Sequence, residues 1–138
     1  MKALGTQSAF KPKRRRNMQF ALLIYEEQDE FESRNDPHKA PEYWAAYQKY
    51  SESLTAAGVL RGGNALKGTE LATTVRLSGS DTAVVDGPFA DTKERLGGLF
   101  VVEADSLDDA LEWARKSPSV TRGCGSVEVR PILEMNAG

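Results

Sequence analysis

Asp86-Gly87-Pro88-Phe89 is the stretch best suited to holding a reactive group still. The apolar run Ala83-Val84-Val85 stops at this tetrapeptide. Gly87 can take φ > 0 without a Cβ clash, and Pro88 fixes its own φ and donates no hydrogen bond. A carboxylate is thereby set on a stiff turn at a strand end, with the Phe89 ring and the Lys93 ammonium close behind. Buried against Phe89, Asp86 would have a raised pKa and could serve as a general acid or base. Lys93 or Arg130 could hold an anionic substrate or stabilise developing negative charge. The same residues also suit an ordinary turn in which Asp86 bonds nearby backbone.

Other reactive side chains are few. His38 is the single histidine and Cys124 the single cysteine, so a zinc site of the usual His/Cys kind is not expected, nor any other metal. Cys124 lies between two glycines near Arg122, which suits either a low-pKa thiolate or a spare, inert thiol. No nucleophile motif, phosphate loop or dinucleotide fingerprint occurs, and no cofactor is expected. Tyr43, Tyr47 and Tyr50 fall on one helical stripe, where they line a pocket with their hydroxyls or pack in the core with only the tips bonded.

The 138 residues are 40% hydrophobic and 28% charged, enough for one domain with a real core. No apolar run reaches the ~20 residues that span a bilayer, and no signal peptide is evident. With one cysteine and therefore no internal disulfide, a reducing cytoplasm is the expected setting. Residues 1–17 hold six of the 18 basic residues and no acid, while the rest has 12 basic against 20 acidic. That body repels nucleic acid, leaving only the tail to attract it. Residues 1–17 read as a disordered basic extension, 18–133 as the domain and 134–138 as a tail.

Along the domain, Met18 to Tyr25 reads as a strand apolar on both faces: Phe20, Leu22 and Ile24 on one, Ala21, Leu23 and Tyr25 on the other. Glu26 to Asp36 reads as a long acidic loop. Pro41 starts a helix and Gly58 ends it. Val59 to Leu66 reads as a strand broken by Gly62-Gly63, a place for a bulge or close backbone approach. Leu71–Ser78 and Thr82–Asp86 form a hairpin through Ser78-Gly79-Ser80-Asp81. Leu99 to Ala104 is the next strand. Ser106 caps a second helix that ends near Pro118, and Ser126 to Leu133 is the last strand.

This order predicts an α+β, ferredoxin-like sandwich with one added hairpin, its two helices on one face of the sheet. The other face would leave Leu23 and Tyr25 wet, at ~25 cal/mol per Å² of apolar surface. A second copy packed face to face would bury it, so a homodimer is expected, with a cleft between the sheets. If Val127 and Val129 face the helices, Glu128 and Arg130 face that cleft. Tyr25, Phe89, Lys93, Glu128 and Arg130 are then the candidate ligand-binding residues, with a small anionic metabolite as ligand.

The segments "MQFALLIYEE", "LTAAGVL", "TTVR", "VVDGPFADTKERLGGLFVVEADSLDDALEWA" and "GSVEVRPI" resemble, in order, the YCII-related family, in particular its DGPF-domain branch. The resemblance spans about residues 18 to 133. It implies a dimeric α+β barrel of ferredoxin-like subunits, typical of small bacterial proteins, some associated with extracytoplasmic-function sigma factors. It also implies a small-metabolite-binding or regulatory accessory module. The alternative is a cofactor-independent isomerase or lyase in which Asp86 takes the acidic role. A histidine partner is implied just before the final strand, where this chain has Cys124; His38 is the only imidazole available to take that role.

Overall fold

The computed structural model describes residues 18–135, so the basic extension falls outside the described residues. Strand β1 (Met18–Glu27) lies at the centre of a four-stranded antiparallel sheet with β2 (Leu60–Ala65), β5 (Glu94–Ala104) and β6 (Gly125–Pro131), in the order β2-β5-β1-β6. Strands β3 (Thr73–Ser78) and β4 (Asp81–Asp86) form a separate two-stranded sheet. The main helices are α2 (Ala40–Ala56) and α3 (Leu107–Arg115). Two short ones, α1 (Gln28–Glu32) and α4 (Pro118–Thr121), occupy stretches whose sequence reads as loop.

The helices cover one face of the sheet, the one that carries Phe20, Leu22 and Ile24 of β1. Phe20, Leu22 and Val102 are buried there with Tyr50 and Leu54 of α2 and Ala110 and Ala114 of α3. Val127 and Val129 pack against the same core. Glu128 is paired with Leu23 and Arg130 with Ala21, so both charged residues lie on the opposite, helix-free face and form an ion pair with each other. The capping expected of Ser106 is present at the start of α3, where its hydroxyl accepts the Asp109 N–H at 3.2 Å. Gly58, past the end of α2, has φ +75.

Two irregularities bring the sheet to its neighbours. On β2 the register shifts between Leu60 and Gly62, where the sequence suggests a bulge. On β5 the pairing jumps from Ile24–Gly98 to Tyr25–Leu96, leaving Gly97 as an extra residue. Strand β5 also starts five residues earlier than the apolar pattern indicates, since Glu94 and Arg95 pair with Glu27 and Glu26.

Candidate functional site

The inward alternation of β1 does not stop at Ile24. Two residues on, Glu26 also points under the helices and is 0% exposed. A buried, unpaired carboxylate costs several kcal/mol in desolvation, so partners are obligatory. Helix α2 supplies them from successive turns: the Tyr43 hydroxyl donates to Oε1 at 2.6 Å and the Tyr47 hydroxyl to Oε2 at 2.7 Å. These are charge-assisted hydrogen bonds of the stronger kind. The tyrosine stripe therefore does both things open to it. Tyr50 reaches the Trp113 carbonyl at 2.7 Å within the core, whereas Tyr43 and Tyr47 meet a carboxylate at a cavity wall.

Both phenols titrate well above the usual tyrosine range. For Tyr43 the causes are burial, then the hydrogen bond to Glu26, against a weaker opposing pull from Arg34. For Tyr47 they are burial, then the charge of Glu26. Both remain protonated donors throughout the physiological range.

Arg34 closes the arrangement from the turn between α1 and α2. Its Nε donates to the Tyr43 hydroxyl at 2.9 Å, Nη1 to the Leu66 carbonyl at 2.5 Å and Nη2 to the Gly97 carbonyl at 3.0 Å. The Phe31 ring lies 4.0 Å from the guanidinium carbon and the Trp44 ring 4.9 Å. Gly97 is what allows this approach. A Cβ there would stand 3.0 Å from Phe31, 3.2 Å from Nη2 of Arg34 and 3.2 Å from Oε1 of Glu26.

Glu26, Arg34, Tyr43, Tyr47 and Gly97 border a cavity of about 360 Å³ between α2 and the end of the sheet. Its walls are largely aromatic and apolar, with Trp44, Tyr47, Leu99 and Phe100, and its polar groups include Glu26 and Asn64. Trp44, 41% exposed, stands at the mouth. An apolar cleft with a few convergent polar groups is the usual form of a small-molecule site.

The residues singled out from sequence lie elsewhere in the single chain. Asp86 is exposed at the end of β4, and Phe89 beyond it is 81% exposed, so the ring does not bury the carboxylate as the sequence suggests. Arg76 lies over the Phe89 ring at 5.4 Å, and Lys93 is exposed. His38 is exposed on the turn before α2, its backbone N–H bonded to Asp36, and among the described residues no hydrogen bond or ion pair joins it to Asp86. Tyr25, Glu128 and Arg130 share the helix-free face. Burial and the Glu30 carboxylate push the Cys124 thiol up to about 11, which makes it an inert thiol at neutral pH. Among the described residues no three His, Cys, Asp or Glu side chains cluster as metal ligands would.

Residues 18–136 match the model of the YCII-related domain. The chain belongs to that family. It is 36% identical over 124 residues to an uncharacterised protein of Rhizobium meliloti (strain 1021), covering 88% of this chain and 97% of that one. Its fold is similar to that of 5-chloro-2-hydroxyhydroquinone dehydrochlorinase from Burkholderia phenoliruptrix AC1100, solved with 2,5-dihydroxybenzoquinone. The TM-score is 0.53 at 19% identity, over 86% of this chain and 96% of the other. At that identity the likeness establishes shared fold alone.

Proposed function

We propose that this YCII-related protein is a small-molecule-binding accessory module whose ligand sits in the aromatic cavity between α2 and the sheet. One observation carries the reading: a fully buried carboxylate, Glu26, lines that cavity and is held in place by two phenols and, through Tyr43, by Arg34. A carboxylate this expensive to bury would be replaced without loss of packing by an apolar residue if packing were its only duty. The test is occupancy. Native mass spectrometry of the protein purified from its host should show a retained small molecule, and Trp44→Ala, which opens the mouth, should release it. A cavity that stays empty and fails to take up any compound from a metabolite panel contradicts the reading.

A second reading, proton transfer on the bound molecule, is favoured by the same Glu26, a carboxylate shielded from water beside a ligand-sized space. The same fold serves a dehydrochlorinase. Turnover lost in Glu26→Gln with binding retained would select this reading.

The homodimer is part of the proposal. Its support is the apolar surface on the hairpin, where Val75, Leu77, Val84 and Val85 are all exposed. Isolated two-stranded hairpins are marginal in water, and patches of this kind mark interaction sites. Pairing would also bring the Asp86–Phe89 corner to the junction between copies.

A further inference from the structure

The charge of this chain is divided along its length. Lys11, Lys13, Arg14, Arg15 and Arg16 lie together ahead of the first strand, and the domain that follows holds 12 bases against 20 acids. We infer that the basic run 11–16, which lies outside the described residues, docks within its own chain in an acidic groove between α3 and the end of the sheet.

The place where the chain enters the sheet is the first support. Met18 is the strand partner of Ala104, and β1 and β5 are antiparallel. Whatever precedes Met18 therefore sets out beside the residues that follow Ala104. Those are Asp105 and the start of α3, and with Ala104 they line a groove of about 370 Å³. At ~3.3 Å per extended residue, Arg16 is about 7 Å of chain from Met18 and Lys11 about 23 Å. All five bases reach the groove with the β1 ladder intact.

Charge is the second support. The groove carries four carboxylates, Glu103, Asp105, Asp109 and Glu112, against two cations, Arg61 and Lys116. Arg61 is paired with Glu103, and Glu112 with Arg115 at 2.5 Å. Among the described residues the Asp109 carboxylate has no ion-pair partner. A single exposed pair contributes little, but five cations tethered a few residues away meet the groove at high effective concentration.

The third support is the character of the wall. The Trp113 ring already holds a cation, with Lys116 Nζ 4.7 Å from its centroid. A guanidinium takes the same position over an aromatic face. Val59 and Ala104 supply apolar surface for the aliphatic stems of lysine and arginine. A phosphate backbone would be repelled by this groove, so nucleic acid competes with the groove for the basic run.

The full chain, labelled with nitrogen-15, is compared with the variant Lys13→Gln/Arg14→Gln/Arg15→Gln/Arg16→Gln. Shift changes are expected at the Trp113 indole N–H and at the amides of Val59, Asp105 and Asp109, and not at the Trp44 indole or the hairpin. Raising salt from about 0.05 to about 0.5 M should produce the same changes in wild type and none in the variant. The reciprocal variant, Asp109→Asn/Glu112→Gln, should release the basic run. Trypsin should then cut after Arg14 to Arg16 about fivefold faster than in wild type at low salt, as expected when cleavage follows the open population. A short DNA duplex should bind this variant more tightly than wild type. Groove resonances that ignore the tail substitutions overturn the inference, as do unchanged cleavage and DNA affinity in the groove variant. Unlabelled wild type mixed with the labelled tail variant checks the connectivity. Restored wild-type shifts would mean that the run docks on a second copy, and would overturn docking within one chain.

Discussion

The Glu26 carboxylate and the Tyr43 hydroxyl, 2.6 Å apart and both buried, tie the end of the central strand to the first turn of the longest helix. The same hydroxyl accepts from Arg34 while it donates to Glu26, so it is satisfied in both directions. Removing it strands two charged groups at once. Tyr43→Phe is expected to destabilise the protein by about 1–3 kcal/mol, the usual cost of leaving a buried polar partner unpaired, with more for charged ones. Tyr47→Phe strands only one carboxylate oxygen and should cost less. Urea unfolding of both variants checks the order; equal midpoints would mean that Arg34 contributes nothing through Tyr43.

Tyrosine ionisation gives a pH prediction with a definite sign. Tyr43, Tyr47 and Tyr50 all have folded-state pKa values raised above the ordinary tyrosine value of 10.0, burial being the first cause of each. The folded state therefore favours their protonated forms. The resulting stability is complete below pH 10 and is lost as the pH climbs from there toward the raised folded values. Absorbance at 295 nm should show these three phenols resisting ionisation past pH 10, and melting temperature should fall over the same range. Ordinary titration of all tyrosines near pH 10 with the fold intact would contradict the burial of the cluster.

Gly97→Ala tests the close approach at the β5 irregularity. The added methyl would crowd Phe31, Arg34 and Glu26 together. Overpacking of this kind typically costs about 1–3 kcal/mol, and here it should also disturb the cavity floor. Denaturant melts should show the loss. Unchanged stability would mean that the strand end relaxes freely, and the cluster with it.

The hairpin yields a prediction about assembly. Leu77 is 70% and Val84 67% exposed in the single chain. Sedimentation velocity at micromolar concentration is expected to give twice the chain mass, and the double variant Leu77→Asp/Val84→Asp to give a single chain with an unchanged circular-dichroism spectrum. A wild-type protein that runs as a monomer would remove the homodimer from the proposal.

Much of the fold was legible because it follows from alternation. The Phe20–Leu22 face of β1, the cap at Ser106 and the Gly79 turn all have local signals, and the structure has each of them, whereas the direction of Val127 and Val129 depended on register and is toward the helices. The site was harder to read for two physical reasons. Glu26 continues the Phe20, Leu22, Ile24 series by one step, yet it opens a run of acids and so resembles the start of a loop; extending the period by two residues would have found it. Arg34 had no local signal, because two of its acceptors, Leu66 and Gly97, are 32 and 63 residues away. Conversely, the Asp86–Phe89 corner has strong turn chemistry, and turn chemistry is indifferent to whether anything covers it.

Because β3 and β4 bond to each other and form a sheet of their own, the body of the protein does not depend on the integrity of the Ser78-Gly79-Ser80 tip. A bulky insertion at Gly79, where φ is +66 and nothing surrounds the residue, would leave the four-stranded sheet as it is. That tip is thus a natural handle: a fluorophore or affinity label placed there would report on the hairpin's surroundings while the Glu26 cavity stayed as it is.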